Sequence, residues 1–253
     1  MGKQRFLFDK IVRDGTISAS SAAPGFPAAY IQNSLWPTFK WRATGKASEY
    51  VIIDGGASVS TMGMTIHGAN FSSGVTLDLS KWSGGAWVDM DITMEYSAIR
   101  GEGIAFWTPV PSTKYKFIIA DSGNSASYVE FGSWLLGDYE ELSRGYEYGA
   151  TEDIDDISET ERSLKGFISV AEGYEEDIKA VEYEVLAADA VKLKNVWSRV
   201  KKRRPFAFIG DSGDKLNTMR LSLFCANYAE EILDDYWKRI CLAWEKVRVT
   251  DVG

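Results

Sequence analysis

From Phe26 to about Leu142 the chain is a succession of short apolar runs separated by Gly, Ser, Asn and Asp, with no helical spacing anywhere in it. Val75–Leu79, Trp87–Ile92 and Lys114–Ala120 alternate at a period of two, the pattern of strands that bury one face. Tyr50–Asp54 is an apolar run stopped by Gly55 and Gly56, and Thr61–Ile66 is expected after a turn. Tyr128–Phe131 closes the series. Strands at this spacing predict an antiparallel β-sandwich over 28–142, preceded by an N-terminal extension, 1–27.

Residues 143–165 change character. Their apolar content is sparse and they carry the acidic stretch Glu152–Glu161, which predicts a linker or an extended arm. A smaller α+β domain is expected over 166–253. Its pieces are strands at Phe167–Val170 and Ile178–Leu186, a helix over Ala187–Val200, and further strands at Phe206–Ile209, Met219–Cys225 and Trp237–Val249. In the helix, Ala190, Val191, Leu193, Val196, Trp197 and Val200 recur at three-and-four spacing. The basic cluster Lys201, Lys202, Arg203 and Arg204 sits where positive charge complements a helix C-terminus, and Pro205 is expected to end the helix.

With 253 residues, 45% of them hydrophobic, there is enough apolar material for a real core. The net charge of -8 argues against nucleic acid as a partner, because phosphate binding needs clustered cations. The first ten residues carry charges where a signal peptide has its apolar run, and no stretch approaches the ~20 apolar residues that span a bilayer. The expectation is a chain made and kept in a cytoplasm, with no membrane insertion.

The catalytic inventory is short. The single histidine, His67, adjoins a turn after a strand and reads as a hydrogen-bonded structural residue; zinc chemistry lacks ligands. Gly210–Gly213 spells the nucleophile signature of trypsin-like proteases, but without the matching histidine context it reads as a β-turn. Asp89 and Asp91 fall on one strand face by alternation, either as a carboxylate pair within reach of a sugar or as an exposed polar face. Cys225 and Cys241 match no metal-ligand spacing; two free, partly buried thiols are the leading reading and a disulfide the alternative. No cofactor is expected and the chain is read as non-enzymatic.

Asn33–Trp36, Trp41-Arg42, Tyr50–Gly55 and Ile66–Phe71 together resemble the discoidin-like, galactose-binding-like sandwich of tailed-phage virion proteins. Phe131–Leu142, the acidic arm, and Arg204–Ile209 resemble the layout of phage tail or baseplate proteins, which pair a sandwich with a small assembly domain. The resemblance implies a mainly β fold: an N-terminal discoidin-like or jelly-roll β-sandwich plus a smaller C-terminal α+β domain. It also implies a structural component of a tail, baseplate or tail tip, a symmetric homo-oligomer touching other virion tail proteins and assembled in the bacterial host cytoplasm. The alternative is a carbohydrate-binding or host-adhesion module that takes a host surface glycan.

Nine Trp, twelve Tyr and twelve Phe exceed what a core of this size requires, and aromatic side chains anchor interfaces. Trp36, Phe39, Trp41, Trp82, Trp87 and Trp107 fall within the expected sandwich, several of them beside Gly, Ser or Pro. For the set, burial in the core or in a subunit interface is the leading reading and a glycan platform the alternative, with Trp36, Phe39, Trp82 and Trp107 the candidate interface or glycan contacts and Trp82 the best exposed candidate. Trp41 reads as core or rim. For Lys201–Arg204 two readings stand: a solvated helix end, or a cluster that docks on the acidic arm of a neighbouring subunit.

Overall fold

A computed structural model describes residues 3–33, 39–143, 151–156, 159–162, 168–171, 175–224, 227–232 and 237–246. The strands are β1 (Arg5–Asp9), β2 (Thr16–Ala19), β3 (Trp41–Arg42), β4 (Glu49–His67), β5 (Thr76–Ser83), β6 (Ala86–Asp89), β7 (Glu95–Ser97), β8 (Glu102–Ala120), β9 (Glu130–Phe131) and β10 (Ser133–Glu141). They continue as β11 (Thr151–Asp156), β12 (Glu159–Arg162), β13 (Ile168–Ala171), β14 (Glu175–Leu186), β15 (Phe206–Ile209), β16 (Met219–Phe224), β17 (Ala229–Ile232) and β18 (Trp237–Lys246). Two helices interrupt them, α1 (Ala187–Val200) and the short α2 (Lys215–Thr218). The fold is mainly β, as the strand pattern predicts.

Two compact units share the chain. The first holds the described residues up to 143 together with 204–221; the second holds those from 151 to 203 and from 222 to 246. This departs from a boundary at 142. Strand β1 lies between β10 and β15, with Phe6 opposite both Glu140 and Phe208, so the expected N-terminal extension is an interior strand. Its Phe6, Leu7 and Phe8 are buried, and Phe6 packs 5.3 Å from the ring of Phe208. One neighbour of β1 in this sheet therefore comes from residues 206–209, in the region expected to form the second domain.

In the first unit the strands run in the order β15-β1-β10-β4-β8-β5-β6, with β2 on β4 and β7 on β8. Strands β4 and β8 are each 19 residues long and pair along nearly their whole length. The turn expected at Gly55-Gly56 is instead an irregularity between Asp54 and Val59, where the register shifts and Gly56 takes φ +70. Beyond it the same strand continues, so the sheet bends there and folds over its own core. Val51 and Ile53 before the bulge, and Met64 and Ile66 after it, join one buried cluster with Trp41, Tyr115, Phe117, Phe131 and Trp134. The opposite face of β1 and β10 packs Leu7 and Leu135 against Ala207, Ile209, Met219 and Leu221.

In the second unit β14 pairs with β11 and β18, β17 pairs with β18, and the end of β16 joins β18. The acidic stretch expected as a linker or arm is thus largely strand. Backbone pairing with β14 supplies the order that its sparse apolar content does not, and Glu152 stands opposite Lys179 in register. Helix α1 has the predicted bounds. Ala190, Leu193, Val196 and Val200 are buried, whereas Val191 is exposed. The helix ends at Val200, five residues before Pro205, where Lys201 takes φ +50 and donates its N–H to Trp197 O at 2.7 Å. Cys225 lies outside the described residues.

Candidate functional site

Strand alternation sets the site. In β8, Tyr115, Phe117 and Ile119 are buried in the core, which turns Lys114, Lys116 and Ile118 to the other face. Register carries that face across four strands. Ile52, Lys116, Ser80 and Asp89 form one row; Tyr50, Ile118 and Asp78 form the next; Asp54 stands opposite Lys114, and Trp82 opposite Trp87.

The side chains on this face engage one another. The Lys116 ammonium lies 5.1 Å from the ring centre of Trp87 and 5.5 Å from that of Tyr50. Trp82 and Trp87 meet edge to face at 5.1 Å across the β5–β6 hairpin, whose turn uses Gly84 and Gly85 at positive φ. Lys114 pairs with Asp54 at 2.7 Å; that hydrogen bond, seconded by the Gly56 N–H, holds the Asp54 carboxyl below the ordinary range. The Asp78 carboxyl is raised by partial burial and by the charge of Asp89 beside it. A half-exposed aromatic pair with a fixed ammonium and two carboxylates can pack the C–H face of a sugar ring and hydrogen-bond its hydroxyls.

Of the aromatic residues read from sequence, Trp82 and Trp87 belong to this face, and Trp82 is half-buried rather than the most exposed. Phe39 is 47% exposed and stacks on Tyr30 at 5.2 Å, away from the Trp82–Trp87 pair in the pairing scheme. Trp107 is half-buried and donates Nε1–H to Thr61 O at 2.9 Å, a structural use. Trp36 lies outside the described residues. Lys201, Lys202 and Arg203 are solvent-facing, and Arg204 pairs with Asp14 of its own chain at 3.0 Å. The acidic stretch read as the counterpart of this cluster holds β11, which pairs with β14 of the same chain.

Tyr50, Lys116 and Asp78 were not singled out from sequence. Alternation marks Lys116 as outward, but only the register unites it with Tyr50 and Trp87. The Asp89–Asp91 pairing is also corrected. Strand β6 ends at Asp89, whose Oδ1 accepts the Asp91 N–H at 3.1 Å in a turn with Asp91 at φ +50, so the two carboxylates do not share a strand face.

His67 is fully buried, with Nε2 3.2 Å from Thr65 Oγ1 and Nδ1 3.4 Å from Glu102. The Gly210–Gly213 segment is a turn in which Asp211 accepts the N–H of Gly213 at 2.7 Å. Among the described residues no group of three His, Cys, Asp or Glu stands together as a metal site, and no helix is long and apolar enough to cross a membrane.

A second aromatic cluster is structural. Arg42 lies 4.0 Å from the ring centre of Phe26 and 4.2 Å from that of Tyr128, and its Nε donates to Glu130 at 2.8 Å. The Nε edge joins β3 to β9 through Glu130, and the plane lies against rings from the loop before β3 and from the residues before β9.

No family model matches the chain. No curated protein matches it either. Among solved structures, the chain is similar to the family 32 carbohydrate-binding module of Clostridium perfringens NanJ in complex with galactose, with 13% identity and a TM-score of 0.42 over 54% of this chain and 99% of that one. It is also similar to chitosan-binding module 1 of a chitosanase/glucanase from Paenibacillus sp. IK-5, with 16% identity and a TM-score of 0.41 over 50% of this chain and 98% of that one. A third similar structure is CpGH89CBM32-5 from Clostridium perfringens in complex with GalNAc-β-1,3-galactose, with 11% identity and a TM-score of 0.42 over 51% and 99% of the two chains.

Proposed function

We propose that the chain is a non-enzymatic carbohydrate-binding protein whose site is the outward face of β4, β8, β5 and β6. The observation that carries this reading is the Tyr50–Lys116–Trp87 stack with Trp82 at its edge and Asp78 and Asp89 beside it. Stacking surface and fixed hydrogen-bonding groups occur together there, and that combination suits a sugar ring. The buried, hydrogen-bonded His67 supports a binding role over a catalytic one. Glycan-array binding by the intact protein tests the reading: Trp87→Ala and Trp82→Ala should each abolish retention of whatever glycan the wild type holds. Binding that survives both substitutions would place the site elsewhere.

All residues of that face belong to the first unit, which leaves the second free for another task. For it we propose assembly into a phage tail or baseplate as a symmetric homo-oligomer made in the host cytoplasm. The support is the sequence resemblance together with exposed Leu186 and Val191 at the start of α1. A purified chain that is monomeric by mass at high concentration, and absent from every virion, would sink it.

A further inference from the structure

Two carboxylates and one ammonium without a carboxylate partner share the outward face. Lys114 is neutralised by Asp54 at 2.7 Å. Lys116, whose ammonium lies over the rings of Tyr50 and Trp87, stands in the same row as Ser80 and Asp89. Asp78 occupies the next row beside Ile118, diagonal to Asp89 across the β5–β6 pairing, near enough for the charge of Asp89 to act on its carboxyl. A ligand lying across these strands meets an excess of negative charge along its polar side and the indole pair along its apolar side.

Resting on the glycan-binding reading, we propose that Asp78 and Asp89 make this face select uncharged glycans and reject polyanionic ones. A sugar hydroxyl both donates and accepts, so a neutral pyranose satisfies all three charged groups: it donates to Asp78 and Asp89 and accepts from Lys116. A uronate or sulfate has no hydrogen to donate at that position. It would face two carboxylates for one ammonium, and like charges brought together at an interface act against the wrong partner. The aromatic pair then supplies contact area for either class of sugar, while the carboxylates supply the choice.

The test uses the intact protein at low ionic strength, by affinity electrophoresis and calorimetry against neutral polysaccharides (dextran, galactan, xyloglucan) and acidic ones (polygalacturonate, heparin). The wild type is expected to hold at least one neutral polymer at least about tenfold more tightly than either acidic one. The double variant Asp78→Asn/Asp89→Asn, with unchanged near-ultraviolet circular dichroism, is expected to gain acidic-polymer binding, a result that an unfolded variant cannot give. Acidic polymers bound as tightly as neutral ones by the wild type, or a double variant with the same discrimination, would overturn the proposal while leaving glycan binding intact. Failure to retain any glycan would overturn the glycan-binding reading and this selectivity with it.

Discussion

Lys116 holds its ammonium 5.1 Å from the ring centre of Trp87, two strands away across β5. A cation over an exposed ring contributes only about 0.5–1 kcal/mol. Lys116→Met should therefore lower unfolding stability by less than about 1 kcal/mol while weakening glycan binding by about tenfold, since a lost hydrogen bond from a charged donor is worth more than that. Urea titration and calorimetry on the same variant separate the two effects.

Arg42 sets its guanidinium against two aromatic rings and one edge against Glu130. Lysine keeps the charge but has no plane to stack. Arg42→Lys is expected to cost about 1–2 kcal/mol, read as a fall in the urea midpoint, while Trp82 and Trp87 keep their fluorescence.

Burial alone would raise the Glu102 carboxyl, but the hydrogen bond with His67 and the charges of His67 and Arg100 outweigh it and hold Glu102 below the ordinary glutamate range. Arg100, 2.5 Å from Glu102, in turn donates to Leu216 O and, at 3.0 Å, to Met219 O. A depressed carboxylate stabilises the fold fully above its unfolded value of about 4.3, and that stabilisation is lost as pH falls through the folded value. Glu102→Gln should cost about 1–3 kcal/mol at pH 7 and progressively less on acidification below pH 4. Denaturation curves at pH 7 and pH 3 check the sign.

Gly137 stands opposite Asp9 where β10 passes β1, and a Cβ there would lie 2.2 Å from Phe8 O and 2.9 Å from Lys10 N. Both obstacles are backbone, so neither can swing aside. Gly137→Ala should cost about 3 kcal/mol or more, seen as loss of soluble folded protein or a large drop in melting temperature.

A chain ended after Leu142 keeps β1 but loses β15 and the covering residues Met219 and Leu221. This fragment is expected to aggregate or to lack near-ultraviolet circular dichroism, whereas one ended after Phe224 retains the complete first sheet. A well-folded 1–142 fragment would contradict the division into units described above.

The alternating strands were legible in the sequence because each buries one face. Leu77, Leu79 and Tyr115, Phe117, Ile119 reveal β5 and β8 without any structure. Strands β1 and β10 were not, for the opposite reason: buried on both faces, Phe6–Phe8 and Trp134–Leu136 show no alternation and are too short to announce a strand. Gly55-Gly56 signals a break in regular pairing, but a bulge and a turn call for the same residues, and only pairing with β8 decides between them. The site was half legible. Trp82 and Trp87 flank a Gly-Gly turn and point to a hairpin, whereas Tyr50 and Lys116 reach them only through a register that no local pattern specifies.

The position of β15 has a consequence for synthesis. Strand β1 is made before either of its neighbours, and the second of them, Phe206–Ile209, follows only after the acidic strands and α1 have been made. At roughly 5–20 residues per second, the interval between the end of β10 and the arrival of β15 is about 3–14 s. Throughout it one edge of β1, with its Phe6–Leu7–Phe8 run, waits for its mate in a nascent chain, and that interval is when a holding chaperone would find its client.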